Sequence, residues 1–414
     1  MYTKFYKKDI AARKAVLAQD HRYDESLDTP LPESVYDNMI ENAITAYELP
    51  MGVAPGFLIN GKDVVMAMVT EEPSVIAAAS NAAKIFQRNG GITSHVESRF
   101  MRGQIAFANP KNPQEMMEFV ENNFSELQHI AHTAYPSIVK RGGGLHKIET
   151  KYVMNPDKTH FLIVYLIVDT QEAMGANMMN TMLEAVKSYL AETFATEALM
   201  GILSNLTTES VVHASVRLNP DTLKHSDLIA SRIKQASDLA MVDPYRAATH
   251  NKGIMNGIDA VVLASGNDWR AIEAAVHSYA SLSGTYQPLT KWSIADNGDI
   301  LGSITLPMPI GAVGGSMGIH PKAQLARKIM KFENAQDLMM MIASVGLAQN
   351  FAAIYALTTD GIQKGHMALH ARSLALQAGA LAEHLDAIVT ELTQTQPMNL
   401  EAAHKIVSKY EGRE

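Results

Sequence analysis

The sequence predicts an α+β fold, in which a large helix-rich domain carries a small inserted α/β domain and ends in a helical C-terminal segment. The chain has 414 residues, which is more than the ~100–200 residues of one ordinary domain. Between about residues 99 and 206, short strand-like runs such as 161–168 are separated by helix-like stretches, and a further strand-like run follows at 211–218. Helical periodicity dominates from residue 220. We therefore assign 1–98 and 207–361 to the large domain, 99–206 to the inserted domain and 362–414 to the C-terminal segment.

Local signals predict the elements of the first hundred residues. Residues 1–50 are polar and helix-like, with one clear segment at 11–17. Two apolar runs between 58 and 69 flank an Asn-Gly-Lys turn at 60–62, which predicts two strands. Pro73 suits the first position of the next helix, and the Asn-Gly-Gly sequence at 89–91 supplies its end.

The remaining elements follow from the same kinds of signal. Helices are predicted at 113–131 and 178–194, and a hairpin joins 289–295 to 300–306 through a turn that contains Asn297-Gly298. A glycine-rich loop follows at 311–318. The last fifty residues are predicted to form helices that are split at Gly365, Gly379 and Pro397.

Composition and charge exclude several classes of function. Lysine and arginine total 35 against 43 acidic residues, so the formal charge of −8 argues against non-specific nucleic-acid binding. The chain has no cysteine, which excludes disulfides, thiolate metal sites and cysteine nucleophiles. No secretory signal is evident, and the apolar run at 161–168 is far shorter than the ~20 residues of a spanning helix. We expect a cytoplasmic protein without a membrane or nucleic-acid partner.

Two adjacent acids, Glu71 and Glu72, stand at the start of the helix near residue 75. The helix dipole favours negative charge there, so capping is one explanation. A second explanation is that one acid lies in a closed site and donates a proton, which requires burial to outweigh the dipole. The residues alone leave both explanations open.

A dense polar cluster extends from 243 to 257 and continues at 265–270. It contains Arg246, Lys252, Asn256 and Asp268 among several glycines. Because buried charges are costly unless they are paired, the cluster is either a surface or a site, and its predicted position in loops favours a site. Lys252 and Asp268 could pair and leave the ammonium group to polarise a carbonyl.

The segment Asp169-Thr-Gln-Glu-Ala-Met-Gly-Ala-Asn177 lies between an apolar strand and a helix. Backbone N–H groups at the start of a helix form a ready phosphate site, although such loops are also plain connections. The segment lacks the G-x-G-x-x-G pattern, so a Rossmann domain is not indicated.

Two histidines, His366 and His370, are four residues apart and share one face of a predicted helix. No third ligand stands at a useful spacing, so we predict no metal site. A histidine beside Gly365 better suits a mobile acid–base group, and we expect the residues after about 362 to move about that glycine.

Together these segments resemble class II, bacterial, 3-hydroxy-3-methylglutaryl-coenzyme A (HMG-CoA) reductases. The resemblance implies a ferredoxin-like inserted domain for the nicotinamide cofactor, a C-terminal helical flap, and a homodimer with active sites at the subunit interface. It implies reduction of (S)-HMG-CoA to mevalonate and coenzyme A with two hydrides. The matching stretches occur in the family's order over nearly the whole chain, at 41–44, 48–52, 60–63, 71–80, 169–177, 202–205, 243–257, 266–270, 346–350 and 365–370.

The resemblance also implies a role for each matching residue. Lys252 would stabilise the oxyanion, Asp268 would orient Lys252, Glu72 would supply protons, and His366 would protonate the departing thiolate. The positions that match the binding site for the hydroxymethylglutaryl group are Ser74, Arg246 and Asn256, of which Arg246 suits its carboxylate. The positions that match the cofactor site are Glu172, Met174, Gly175, Asn177 and Asn205.

The nicotinamide preference is predicted from the residues before the glycine triplet at 142–144. NAD-preferring members carry an aspartate there, and Tyr135 stands in its place. Because Lys140 or Arg141 can attract a 2′-phosphate, we predict NADPH as the preferred cofactor, with NADH possible. No arginine is evident for the coenzyme A phosphates, so Lys7 or Lys8 is the candidate.

Two other functions remain open at this point. A relative could work mainly in the oxidative direction and consume mevalonate, because motifs do not set the direction of flux. A catalytically silent homologue could act as a dimeric binding protein, although nothing structural requires all four catalytic residues. The absence of cysteine excludes thioester enzymes that form an acyl-cysteine intermediate, such as thiolases.

Overall fold

The computed structural model describes residues 1–359 and 362–412, without the side chains of 226–227 and 362–369. Short 3-10 helices lie at Phe5–Lys7, Glu25–Leu27, Pro220–Thr222 and Gly315–Gly318. The strands are β1 (Met51–Ile59), β2 (Lys62–Val69), β3 (Thr93–Val96), β4 (Met101–Ala108), β5 (Gly144–Met154), β6 (His160–Asp169), β7 (Met200–Leu203), β8 (Val211–Leu218), β9 (Thr290–Ile294) and β10 (Ile300–Pro307). The helices are α1 (Ile10–Gln19), α2 (Glu33–Met39), α3 (Val75–Arg88), α4 (Pro113–Asn122), α5 (Phe124–Ala134), α6 (Pro136–Val139), α7 (Ala176–Thr193), α8 (Ser226–Val242), α9 (Pro244–Ala264), α10 (Trp269–Ala280), α11 (Pro321–Met330), α12 (Ala335–Thr358), α13 (Ile362–Gln377), α14 (Leu385–Thr393) and α15 (Leu400–Glu411).

The strands form three antiparallel sheets. One pairs β1 with β2, the second has the order β3-β8-β10-β9, and the third has the order β5-β6-β4-β7. The third sheet and its helices follow the chain as strand, helix, strand, strand, helix, strand, which is the ferredoxin-like arrangement. The predicted α+β class and its ferredoxin-like unit are therefore confirmed.

Three separate apolar cores hold these elements. The first gathers side chains from Phe5 to Ile92 and from Val212 to Ile354, the second from Met101 to Leu190, and the third from Ala371 to Val407. Burial of apolar surface is the main stabilising term in folding, so each core can hold its own group of elements. The domain boundaries assigned from sequence remain predictions.

Helix α12 is the central helix of the first core. It is long and apolar enough to cross a membrane by length and composition, but 78% of its most apolar 18-residue window is buried inside the protein. A helix that is apolar on all sides fits a buried position. Sequence inspection overlooked this segment because Ser344, Gln349 and Asn350 interrupt its apolar residues.

Two glycines let α9 approach α12 closely. A Cβ at Gly257 would lie 2.9 Å from Val345 Cγ1, and a Cβ at Gly346 would lie 3.0 Å from Ile258 Cδ1. Because these glycines face each other's helix, the backbones pack at a distance that larger residues would not allow. This contact fixes the position of α9, the helix that carries most of the polar cluster predicted from sequence.

The structure confirms several local predictions and corrects others. The 60–61 turn forms with positive φ at both residues, the strand at 211–218 is present, and the 289–306 hairpin is present. The stretch 113–131 is two helices, because Asn123 ends α4 and its side chain donates to Phe119 O. The loop prediction for 243–257 was wrong, since Asp243 caps α9 and Pro244 begins it. Pro73 lies before α3 and Gly365 lies within α13, so neither has its predicted position.

The close contact between α9 and α12 predicts opposite effects of alanine at two glycines of one helix. We expect Gly257→Ala to lower the free energy of unfolding by ~1–2 kcal/mol, because its Cβ would overlap Val345 and Gln349. Gly253→Ala is the matched control, because its Cβ would meet only Ala353 Cβ at 4.0 Å. It should raise the free energy of unfolding by ~0.5–1 kcal/mol through helix propensity. Urea unfolding of both variants measures this, and equal effects would contradict the packing argument.

Candidate active site

Three of the predicted site residues form one hydrogen-bonded cluster. Lys252 Nζ lies 2.6 Å from Glu72 Oε2, and Asn256 Nδ2 donates to Glu72 Oε1 at 3.4 Å. Lys252 and Asn256 share a face of α9 because they are one turn apart, and Glu72 comes from the turn between β2 and α3. The side chains of Lys252 and Glu72 are 62% and 38% exposed, so the pair contributes little to stability and is accessible to a ligand.

Ser74 stands beside this cluster in an uncommon backbone conformation. Its φ is 75°, and it precedes α3 without making a side-chain cap. A non-glycine residue in the left-handed region is strained, and such strain concentrates at functional sites. The hydroxyl group therefore remains available at the start of α3.

Arg246 lies in the first turn of α9 and is half-buried. Within the described part of the chain its guanidinium group has no hydrogen bond or ion pair. Its backbone N–H donates to the side chain of Asp243. Burial lowers the pKa of Arg246 from its ordinary value. A partly desolvated guanidinium group without a partner is well suited to bind a carboxylate.

A cavity of about 1330 Å³ opens beside Glu72 and Ser74. Its wall includes Gly266 and four cationic side chains, from Arg13, Lys14, Lys84 and Lys322, but neither Lys7 nor Lys8. Lys14 and Lys322 converge on Asp28, whose pKa they hold well below its ordinary value. The cavity wall thus carries cationic groups other than Lys7 and Lys8, the candidates from sequence.

Asp268 lies away from Lys252. Its carboxylate caps α10 by accepting from the backbone N–H groups of Arg270 and Ala271, both at 3.1 Å. In the described residues it makes no ion pair with Lys252, which pairs with Glu72 instead. Helix α9 rises about 18 Å from Lys252 to its end at Ala264, just before Asp268. The two side chains cannot bridge that length within one chain, so the pairing considered from sequence does not form within a single chain.

The predicted phosphate loop lies at the start of α7. Gly175 has φ 92° immediately before the helix, and a Cβ there would lie 2.5 Å from Thr170 Cγ2. Only glycine fits this turn. Because glycine has no side chain that could cap the helix, the first N–H groups of α7 stay open. Met174 packs partly buried against the second core, and Asn177 is exposed in the first turn of the helix. The backbone here can hold a phosphate group.

Two further loops adjoin this one. Gly144 pairs with Asp169, and a Cβ at Gly143 would lie 2.6 Å from Asp169 O, so the glycine triplet lies beside the phosphate loop. Tyr135 immediately precedes the short helix α6, which lies before the triplet, and it is half-buried, while Lys140 and Arg141 are exposed. The remaining loop, which carries the exposed Asn205, follows β7, and Leu203 N donates to Asn180 Oδ1 of α7. The predicted cofactor residues thus lie on neighbouring loops.

Glu172 has a different environment from the one expected. Its Oε2 accepts from Ala335 N at 2.7 Å, at the first residue of α12, and its backbone carbonyl accepts from Ala312 N at 2.8 Å. A carboxylate at a helix start is stabilised by the helix dipole. Glu172 therefore fastens the phosphate loop to the large core, in addition to any contact with a cofactor.

The remaining predicted catalytic residue, His366, has a side chain that lies outside the described residues. His370, one turn later in α13, is exposed. Among the described residues no group of three or more His, Cys, Asp or Glu side chains could hold a metal ion. Sequence reasoning gave no individual role to Arg99 or Asn267, although Asn267 lies in the matching stretch 266–270, and both contact the loops of this site.

Comparisons with known proteins agree with this architecture. The profile of the hydroxymethylglutaryl-coenzyme A reductase family matches residues 9–371. The chain is 40% identical over 410 residues to the 3-hydroxy-3-methylglutaryl-coenzyme A reductase of Archaeoglobus fulgidus, covering 98% of this chain and 93% of that protein. It is 34% identical over 344 residues to a probable reductase of Borreliella burgdorferi, covering 81% and 77%.

Solved structures give the same result. The chain matches the reductase of Streptococcus pneumoniae with a TM-score of 0.85 at 43% identity, over 99% of this chain and all of that one. A second structure, described as the class II enzyme of that organism bound to NADPH, matches with a TM-score of 0.84 at 44% identity, over 87% of this chain and all of that one. The fold, the site and these matches define an oxidoreductase. The chain belongs to the hydroxymethylglutaryl-coenzyme A reductase family.

His250, on α9 between Arg246 and Lys252, predicts a specific acid sensitivity. It is 2% exposed, its Nε2 lies 2.5 Å from Thr290 Oγ1, and burial lowers its pKa to about 3. Below the ordinary value of 6.5 the unfolded chain gains a proton that the folded protein does not. Stability is therefore lost as the pH falls from 6.5 towards 3, by up to about 1.4 kcal/mol per pH unit.

Urea unfolding between pH 3.5 and 7, with wild type and His250→Gln side by side, measures this contribution. The variant cannot titrate at this position, so its free energy of unfolding should depend less steeply on pH than that of the wild type. Parallel pH profiles would show that His250 makes no such contribution.

Proposed function

We propose that this protein reduces (S)-HMG-CoA to mevalonate and free coenzyme A with two molecules of NADPH. The observation that carries the proposal is the cluster of Lys252, Glu72 and Asn256 beside a large cavity, with the unpaired Arg246 on the same helix. The cluster combines an ammonium group and a carboxyl group, which can stabilise and protonate an oxygen that receives negative charge. Membership of the reductase family supports the same reaction.

Each residue has a physical task in this reaction. Lys252 donates to the thioester oxygen as charge develops on it, and Glu72 delivers a proton to the oxygen at the aldehyde stage. Arg246 binds the free carboxylate of the substrate, assisted by Ser74 and Asn256. His366 protonates the coenzyme A thiolate. The cavity holds the coenzyme A portion, and its cationic wall at Arg13 and Lys84 suits the phosphate groups.

The ferredoxin-like unit, 99–206, is the cofactor domain, with 1–98 and 207–361 as the large domain and 362–414 as the flap. NADPH supplies the hydrides when bound. The first N–H groups of α7 after Gly175 receive its phosphates, and Asn177 and Asn205 expose polar side chains on the same loops. Tyr135 replaces an acid that would repel a 2′-phosphate, and Lys140 or Arg141 attracts it. These residues support NADPH over NADH.

The active unit is a homodimer whose two subunits both contribute to each site. Lys252 lies near the middle of α9 and Asp268 follows its far end as the cap of α10, so Asp268 reaches Lys252 only from a second copy of the chain. Exposed apolar side chains next to both ends offer surface for that contact, since Val242 and Tyr245 are 80% and 86% exposed and Trp269 is 43% exposed. We place the protein in the cytoplasm, with no nucleic-acid partner.

The assigned role of Lys252 predicts the effect of removing it. Lys252→Ala should lower kcat for HMG-CoA-dependent NADPH oxidation by about 10²–10³ or more, because it removes the main charge that stabilises the oxyanion. Lys234→Ala is the matched control, since Lys234 is also exposed and ion-paired, with Asp238 at 2.5 Å. It should retain wild-type kcat, and circular dichroism should show both variants folded.

Absorbance of the nicotinamide, followed with NADPH and NADH in parallel, provides the measurement. A fully active Lys252→Ala enzyme would refute the assigned role. A higher kcat/KM with NADH would overturn the cofactor preference. No oxidation of either nicotinamide by the wild type would leave the silent dimeric homologue as the better description.

Sharing of the site between subunits predicts complementation. Lys252→Ala and Asp268→Ala should each be inactive alone. When the two are unfolded together and refolded, half of the dimers should be mixed, and each mixed dimer should have one intact site. Activity should therefore recover to about a quarter of the wild-type level. If both residues acted within one chain, no mixture would recover activity.

A further inference from the structure

A short extended segment of the large core, residues 310–313, lies between the phosphate loop and the turn that carries Asp268. On one side Gly311 N donates to Asn267 Oδ1 at 2.9 Å, and Asn267 Nδ2 donates to Gly311 O at 3.1 Å. This two-way bond holds the residue next to Asp268 against the segment. The turn is anchored at its other end because Asn267 N donates to Val262 O of α9 at 3.1 Å.

On its other side the same segment binds the phosphate loop. Ala312 N donates to Glu172 O at 2.8 Å, and Ala173 forms a parallel bridge with Val313. A Cβ at Gly311 would lie 2.7 Å from Met174 N, so the close approach requires glycine at that position. Gly311 therefore contacts both the turn of Asp268 and the loop that precedes α7.

Arg99 is a second link between the phosphate loop and the segment. One terminal nitrogen, Nη2, donates to Ala173 O in the phosphate loop and to Ile310 O in the segment, both at 3.0 Å. Its Nε is buried without a partner, and burial lowers the pKa of the group although Glu172 and Asp169 oppose this effect. A buried charge that is only partly satisfied is unfavourable for stability alone. Arg99 lies where the first and second cores meet, which is consistent with a role in holding the phosphate loop in place against the segment.

We propose that Asn267 and Arg99 are positioning residues that set the distance between the bound nicotinamide and Asp268 of the same chain. The inference rests on the proposed function, because it takes the phosphate loop as the cofactor site and Asp268 as catalytic. Hydride transfer depends steeply on alignment, and a misplacement of about 1 Å can cost on the order of 10²-fold in rate. Neither residue touches the substrate in this arrangement.

The test compares Asn267→Ala with Asn60→Ala. Asn60 makes the same two-way bond to a backbone, with Nδ2 donating to Ser94 O at 2.8 Å and Ser94 N donating to Oδ1 at 2.9 Å. It lies in the turn between β1 and β2 with φ 48°, so alanine should destabilise the fold there at least as much. The Asn60 variant therefore controls for loss of hydrogen bonds and stability.

We expect Asn267→Ala to lower kcat about tenfold or more, while the KM for HMG-CoA and the Kd for NADPH alone stay within about twofold. Asn60→Ala should keep kcat within about twofold of wild type. Arg99→Lys, a milder change that keeps the charge but loses the planar guanidinium geometry, should also lower kcat selectively. The double variant should lose less than the product of the two single effects, because both act on one distance.

The outcomes separate this inference from the proposed function. An inactive wild-type enzyme would overturn both. An active wild type with unchanged kcat in Asn267→Ala, or an equal loss of kcat in Asn60→Ala, would overturn only the positioning role. A rise in the Kd for NADPH with unchanged kcat would also overturn it, because the loop would then affect binding rather than alignment.

Discussion

The close packing of α9 on α12 is the contact on which the active site depends. Gly257 and Gly346 let the two backbones approach, and α12 is buried at the centre of the first core, so α9 has little freedom to shift. Apolar packing alone would still allow a helix to slide by a residue. Polar bonds prevent this, because His250 bonds Thr290, which donates to Asn350 of α12 at 2.8 Å. The register of α9 then decides where Lys252 and Asn256 meet Glu72.

Local chemistry explains which parts of this fold were predictable from the sequence. Asn60-Gly61 can adopt positive φ and therefore specifies a turn, and the apolar pattern at 211–218 specifies a strand with one buried face. The glycines of α9 led to the wrong prediction of a loop, because they resembled loop residues. The Asp243-Pro244 cap already indicated a helix start. A glycine that serves close packing cannot be distinguished from a loop glycine without its neighbour. The error therefore came from a tertiary contact that the sequence does not display.

The active site was predictable only in part, for the same reason. The residues that form the Lys252–Glu72 pair are 180 positions apart in sequence, so no spacing rule brings them together, and only the resemblance to a family pointed to both. The connection between β6 and α7 was predictable from a local pattern, a strand followed by small residues and a helix, whereas its role as a phosphate site stays a prediction. Asn267 lies in the matching stretch 266–270, but the hydrogen bonds of Asn267 and Arg99 to backbone groups of distant loops leave no pattern in the sequence. The resemblance assigns Glu172 to the cofactor, which stays a prediction; the contact of its carboxylate with the start of α12 depends on how two cores meet and was not predicted.

The arrangement of α9 also ties catalysis to assembly. One helix carries the groups for the substrate near its start and leads at its end to Asp268, which the segment at 310–313 joins to the phosphate loop. Because a rigid helix keeps these two sets apart within a chain, the homodimer that we propose completes each site with residues from two chains. The Lys252–Glu72 pair needs no partner subunit, and a single chain can therefore be folded and present an ordered half-site. Under the proposed homodimer, catalytic competence depends on the free energy of association as well as on the free energy of folding.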